Sequence, residues 1–203
     1  MDLNWIKTAK IRQQCHICIR AVLEGLKVFW LVDEIHGQDR DRLAGLVTKL
    51  NLSSVEIFDE FFIFNPSYLS KLKSIVPRVI DIPLRIVSDF DHAELISDLI
   101  GSVQSGRVPI LDPVQAHLTP TLIGYLLGYP VLYQLGPDGK CDWLNSLPLI
   151  LFQVHLDDVI ISSFSLPAEC LSNLSDLLRD WEGSLDPALH VTKTEICLPD
   201  VNL

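Results

Sequence analysis

"KVFWLVDEIHG", Lys27 to Gly37, is an apolar run that ends on two carboxylates followed closely by a histidine. Val28–Val32 is β-branched and aromatic and too short for a helix, so it reads as a strand. A strand with no polar face has nothing to show to water. That predicts a central place in a parallel sheet, buried on both faces. The next stretch, "GQDRDRLAGLVTKLN", opens a helix at Asp39 with Leu43, Leu46, Val47 and Leu50 on one face and Asn51 as C-terminal cap. Strand followed by helix is the first half of a βαβ unit.

Upstream, residues 4–26 read as a helix, because Ile11, Cys15, Cys18, Val22 and Leu26 recur at steps of three and four. Gly25 weakens its end. Downstream the alternation continues. Val55–Phe64 reads as strand, broken at Asp59-Glu60. "NPSYLSKLKSI" starts a helix with Asn65 as cap and Pro66 in first position. Val79–Ile82 is strand. "SDFDHAELISDLIGSVQSG" is helix, with Ser88 and Asp91 spaced as a capping box and Gly106 ending it. Val108–Leu111 is strand. "TPTLIGYLLG" is helix, capped by Thr119, with Gly128 in the left-handed position past its end. Tyr129–Leu135 is strand again, and "GPDG" is a turn.

Beyond residue 135 the pattern changes. "PLILFQVHLDDVIISSFSL" is two strands joined at Asp157-Asp158, an antiparallel hairpin. "PAECLSNLSDLLRDWEGSL" is a helix with Leu171, Leu174, Leu178 and Trp181 on one side. "HVTKTEICLP" is a last strand, too apolar at Val191, Ile196 and Leu198 to hang free in water. The predicted class is α/β with a mixed sheet. Parallel βαβ units fill the N-terminal two thirds, antiparallel strands lie at the C-terminal end, and helices cover both faces. No Pro/Gly-rich seam or fixed-period repeat divides the chain, so residues 1–203 are expected to form one globular domain.

Composition narrows function by exclusion. The chain is 48% apolar and 21% charged, with 16 basic and 26 acidic residues and a net charge of -10. It has core material enough to fold. An acidic surface repels DNA, RNA and anionic bilayers, and no Lys/Arg run interleaves with aromatics. The start, "MDLNWIKTAKIRQQ", lacks a signal-peptide core, and no apolar run is long enough to span a membrane. The five cysteines are Cys15, Cys18, Cys141, Cys170 and Cys197, an odd number with no framework spacing. Reduced thiols in a cytoplasmic, soluble protein are the simplest reading, and the Asn-x-Ser matches at Asn51 and Asn173 then carry no weight.

Three apolar strands run into acids: Asp33 and Glu34 after Val28–Val32, Asp59 and Glu60 within Val55–Phe64, and Asp112 after Val108–Leu111. Ligands of open α/β sheets bind beyond the carboxyl ends of the strands. Asp33, Glu34 and Asp112 are therefore the candidate metal ligands, with oxygen donors suited to Mg²⁺, and His36 is a nearby acid or base. The plainer reading is that Asp is a common exit residue where a strand meets water. Cys15 and Cys18 form a C-x-x-C, but both fall on the apolar stripe of a helix and lack a second ligand pair. They read as core. "GPDGK" departs from the phosphate-loop pattern in its spacing and lacks the following Ser or Thr. "HLDD", His155 to Asp158, has metal-ligand residue types, yet Asp-Asp is ordinary turn chemistry. Tyr125, Tyr129 and Tyr133 offer hydroxyls to a pocket or to partners in the core.

"LIGYLLGYPVLYQL", "PLILFQV", "SFSLP", "LLRDWEGSL" and "EICLPDVNL" together resemble an animal protein family of the uncharacterised UPF type, whose human member is an open-reading-frame protein of chromosome 1. The resemblance covers residues 118–203 well and is looser upstream. It implies an intracellular protein and assigns no residue a catalytic role. The expected function is binding through a protein-facing or small-ligand surface. The alternative is a hydrolase or transferase that uses Mg²⁺ or phosphate chemistry at the strand-end acids.

Overall fold

The structure, a computed structural model, describes residues 2–74, 76–81, 86–90, 93–105, 117–136, 144–145 and 147–197. Within them the chain forms three three-stranded sheets and five α-helices. The first helix, α1, runs Ala9–Leu23, with residues 4–8 outside it. Gly25 does more than weaken its end. At φ +70° it closes the helix, and the Leu26 N–H reaches back to the Ala21 carbonyl at 2.9 Å. A Cβ there would lie 2.6 Å from the Tyr68 ring, which would have to shift, and the positive φ itself favours glycine. Asn51 and Gly128, also left-handed, close α2 (Gln38–Thr48) and α4 (Thr119–Leu126) with the same six-residue bond.

Sheet 1 corrects the parallel reading. Its strands are β1 (Phe29–Leu31), β2 (Ser53–Ile57) and β3 (Glu60–Phe64), in the order β1-β3-β2. Both neighbours of β3 run antiparallel to it. The β1–α2–β2 crossover does bring two strands into the same direction, but β3 folds back as a hairpin and takes the place between them. The turn is Phe58-Asp59, with φ of 54° and 64°, one residue earlier than the expected break. Two positive φ values are what a tight hairpin turn of matching twist requires. β1 is thus an edge strand of three residues rather than a central parallel one. It is still covered on both sides. Trp30 packs with Cys15, Cys18 and Ile19 of α1 and Val47 of α2. Phe29 faces the opposite core, stacking on Phe64 at 4.9 Å.

Sheet 2 holds β4 (Arg78–Asp81), β5 (Ile86–Asp89) and β6 (Val131–Gln134), in the order β5-β4-β6. β4 with β6 is the parallel pair among the described residues. Ser88 lies inside β5. The fourth expected helix begins later, as α3 (Ala93–Gln104). Asp91 and the expected strand Val108–Leu111 lie outside the described residues. The "NPSYLSKLKSI" segment is a 3-10 helix, Pro66–Ser74, and Asn65 caps it as expected, its Oδ1 accepting from the Ser67 N–H at 3.0 Å. Leu69 and Leu72 of this helix join Ile96 and Ile100 of α3 and Leu122 and Leu126 of α4 against sheet 1.

Sheet 3 is fully antiparallel, as expected. β7 (Pro148–Leu156) lies between β8 (Val159–Pro167) and β9 (Leu189–Cys197). The hairpin turns at Asp157-Asp158, and Asp157, with φ 54°, also pairs with Arg20 of α1 at 2.8 Å. Val154, Leu156 and Ile161 pack with α1, while Phe152, Phe164 and Leu166 pack with Leu174 and Leu178 of α5 (Leu171–Ser184) and with Ile80 and Val131 of sheet 2. β9 pairs with β7 along its whole length, so residues 189–197 are part of the sheet. Among the described residues, no helix is long and apolar enough to cross a membrane.

Candidate functional site

Where α1 ends and β1 begins, the chain passes β8. There β8 carries a bulge: His155 faces Ile160, Val154 faces Ser162, and Ile161 has no ladder partner. A bulged residue has a carbonyl to spare. Lys27 takes it, its Nζ donating to the Ile161 carbonyl at 2.6 Å. The glycine turn at Gly25 sets Lys27 in this place, two residues before β1.

Two cavities meet at this lysine. The larger, about 550 Å³, is walled by Leu126, Leu127, Val154, Trp181, Leu185 and Leu189, with Glu24, Lys71 and Asp186 also lining it. The smaller, about 150 Å³, is lined by Cys18, Asp33, Tyr129 and Ser163 among others. Lys27, Leu127, Ile161 and Ser162 line both. The Lys71 ammonium donates to the Gly25 carbonyl at 2.8 Å and sits 4.6 Å from the Tyr68 ring centre.

Burial pushes the Lys27 ammonium down to about 8, against the opposing pull of Cys18 and Asp33. Burial pushes Cys18 up to about 11, with Lys27 opposing and Asp33 and Glu34 adding to it. Tyr129 is raised to about 12 by burial, although hydrogen bonds to Ser162 and Ser163 oppose the shift. At neutral pH the group is therefore an ammonium beside a neutral thiol and a neutral phenol. Such a set can grip an anionic or carbonyl oxygen. It offers no thiolate nucleophile.

Asp33 is exposed and lines the smaller cavity, where its charge acts on Lys27. Glu34 and His36 are exposed. Asp59 stands at the tip of the β2–β3 hairpin, and Glu60 opens β3. Asp112 lies outside the described residues, as does most of "GPDGK". Among the described residues no group of three or more His, Cys, Asp or Glu is placed to hold a metal ion. The tyrosine hydroxyls are taken up by the structure: Tyr125 donates to the Leu72 carbonyl at 2.8 Å and Tyr133 to the Ser165 carbonyl at 3.0 Å.

Comparison of the chain with protein-family models, with curated proteins and with solved structures finds no match. The family resemblance of residues 118–203 therefore rests on the quoted motifs alone. The site has to be read from its own chemistry.

Lys27 is the residue that the acid-centred reading of its own segment passed over. The available signal was a lysine set directly against an apolar strand, where its long stem is easily drawn into the core.

Cys15 and Cys18 are free, buried and on the apolar face of α1, as expected. Burial raises Cys15 to about 12. Cys197 is free and exposed. A maleimide added to the native protein should label Cys197 at once and leave Cys15 and Cys18 until denaturant is added, as read by peptide mass spectrometry. Rapid native labelling of either helix thiol would show that α1 does not hold them in the core.

Proposed function

We propose that this chain binds a small amphipathic organic monoanion in the larger cavity, with its carboxylate on Lys27 and its apolar body against Trp181, Leu185 and Leu126. One observation carries the reading: a lysine whose ammonium has donor capacity beyond the Ile161 carbonyl lines a cavity of about 550 Å³ that is also lined by Leu126, Leu127, Trp181, Leu185 and Leu189. That volume lies within the ordinary range of small-molecule sites, which combine apolar walls with a few placed polar groups. The charge balance favours a single negative charge. Glu24 and Asp186 share the lining with Lys27 and Lys71, and the chain as a whole is strongly acidic. A polyanion would be repelled.

The same reading takes the chain as one globular domain of a cytoplasmic, soluble protein, related to the family that residues 118–203 resemble. The alternative, Mg²⁺-dependent hydrolysis or transfer at Asp33, Glu34 and Asp112, draws no support from the exposed positions of Asp33 and Glu34. A protein partner remains compatible with ligand binding.

The test uses anilinonaphthalene sulfonate as a fluorescent probe and octanoate as a competitor. The native chain should bind one probe, octanoate should displace it, and Lys27→Met should weaken both by about tenfold or more, since a hydrogen bond to a charged group contributes roughly 1.5–3 kcal/mol. Probe binding that neither octanoate nor Lys27→Met changes would refute the assignment.

A further inference from the structure

We propose that His155 and His190 form a binding site for one divalent transition-metal ion of the Zn²⁺, Ni²⁺ or Cu²⁺ class, on the face of sheet 3 turned away from the core. The inference is independent of the ligand cavity, because strand alternation separates the two. Phe152, Val154 and Leu156 of β7 point into the apolar clusters. Gln153 and His155, in the alternate positions, point the other way.

The register sets His155 of β7 directly opposite His190 of β9. Opposite residues of an antiparallel pair have their Cβ atoms close enough for their side chains to act together. Here the two imidazoles lie parallel, with ring centres 4.6 Å apart and planes 14° from coincidence. Two nitrogens that bind one ion at about 2.0–2.1 Å each can be at most about 4.2 Å apart. Stacked rings hold their nitrogen lone pairs in parallel planes, so the exposed His190 has to turn out of the stack to aim a nitrogen at an ion held by His155; that turn is about its side-chain torsions, and no strand has to move.

A neighbouring side chain orients one of the rings. His155 Nε2 lies 3.0 Å from the Thr192 hydroxyl, which stands on the same face two residues beyond His190. A ligating imidazole commonly has its second nitrogen held in this way, which fixes the ring and leaves the other nitrogen for the ion. His190 is exposed and His155 partly so, and neither belongs to an apolar cluster. Imidazole nitrogens select Zn²⁺, Ni²⁺ and Cu²⁺ over Mg²⁺ and Ca²⁺, which require oxygen. The net charge of -10 favours the approach of any cation. With two protein ligands, the remaining coordination positions are left to water.

The experiment titrates the full chain, carrying Cys197→Ser to remove the exposed thiol, with NiCl₂. Calorimetry reads stoichiometry and affinity, and thermal melting reads stabilisation. One equivalent should bind and raise the melting temperature, because an ion that binds only the native state stabilises it by mass action. His155→Ala and His190→Ala should each lose that binding by about tenfold or more, as losing one of two ligands demands, while melting at the parent temperature without metal. MgCl₂ should shift nothing. Binding of Ni²⁺ that survives both substitutions, or no binding by the folded parent chain, would overturn the proposal.

Discussion

Phe152→Ala is expected to destabilise the protein by about 3–5 kcal/mol, the range for removing a large aromatic from a packed core. Phe152 is fully buried at the middle of β7, the central strand of sheet 3. Its ring stacks on Phe164 of β8 at 5.0 Å and 3°, and meets Trp181 of α5 edge-on at 6.4 Å. The Lys193 ammonium of β9 lies 5.4 Å from the ring centre. One side chain thus ties three strands and a helix together. The void cannot close by moving β7, because ladders on both sides hold that strand in register. The cost should therefore exceed simple transfer of the ring to water. Denaturant unfolding of the mutant and of Ile160→Ala checks this. Ile160 lies on β8 at 40% exposure, and its truncation should stay within about 0.5 kcal/mol. Equal losses at the two sites would show that sheet 3 is not packed on α5 as described.

The second large effect depends on pH. The Lys27 ammonium has its proton affinity lowered to about 8 in the folded chain, from 10.5 in the unfolded one. Between those values the unfolded chain holds a proton that the native state has released, so native stability rises with pH across the window. Below about 8 both states are protonated and the burial penalty is felt in full. Over the whole window the change is on the order of 3 kcal/mol. Cys15 and Cys18 act in the opposite sense above their ordinary value of 9.0, since burial holds them protonated in the native state. The clean measurement is therefore the difference between wild type and Lys27→Met. That substitution leaves the Ile161 carbonyl without its donor, and its cost should grow as pH rises from about 8 to about 9.5, by roughly 1–2 kcal/mol. A flat difference from urea unfolding across that range would mean that the amine is solvated in the native state.

Local chemistry was legible along the chain. Asn65 and Pro66 announced the start of the 3-10 helix. The left-handed Gly128, the Asp157-Asp158 turn and the antiparallel C-terminal hairpin all followed from residue type. So did the inward stripe of Cys15, Cys18 and Val22, and the docking of β9. Each depends on dihedral preferences or on periodicity over a few residues, which a chain carries with it. The misreadings lie elsewhere. The unbroken apolar run of β1 points to a parallel, central strand, whereas β1 is antiparallel and at an edge. The Phe58-Asp59 turn carries no glycine or asparagine, so the β2–β3 hairpin that displaces the parallel neighbour gave little warning.

The site divides in the same way. Asp33 was visible as a strand-end acid, and it does line a cavity. Its charge acts on Lys27. Sequence alone determined the mixed α/β class, the helix stops, the hairpin and the two buried thiols of α1, because torsional preference and hydrophobic periodicity act between near neighbours. Only the tertiary structure decided strand order, the setting of Lys27 against a bulge more than a hundred residues away, and the pairing of His155 with His190. Those arrangements come from which ladder closes beside which strand. That choice is made by the packing of whole faces against one another, and no short stretch of residues encodes it.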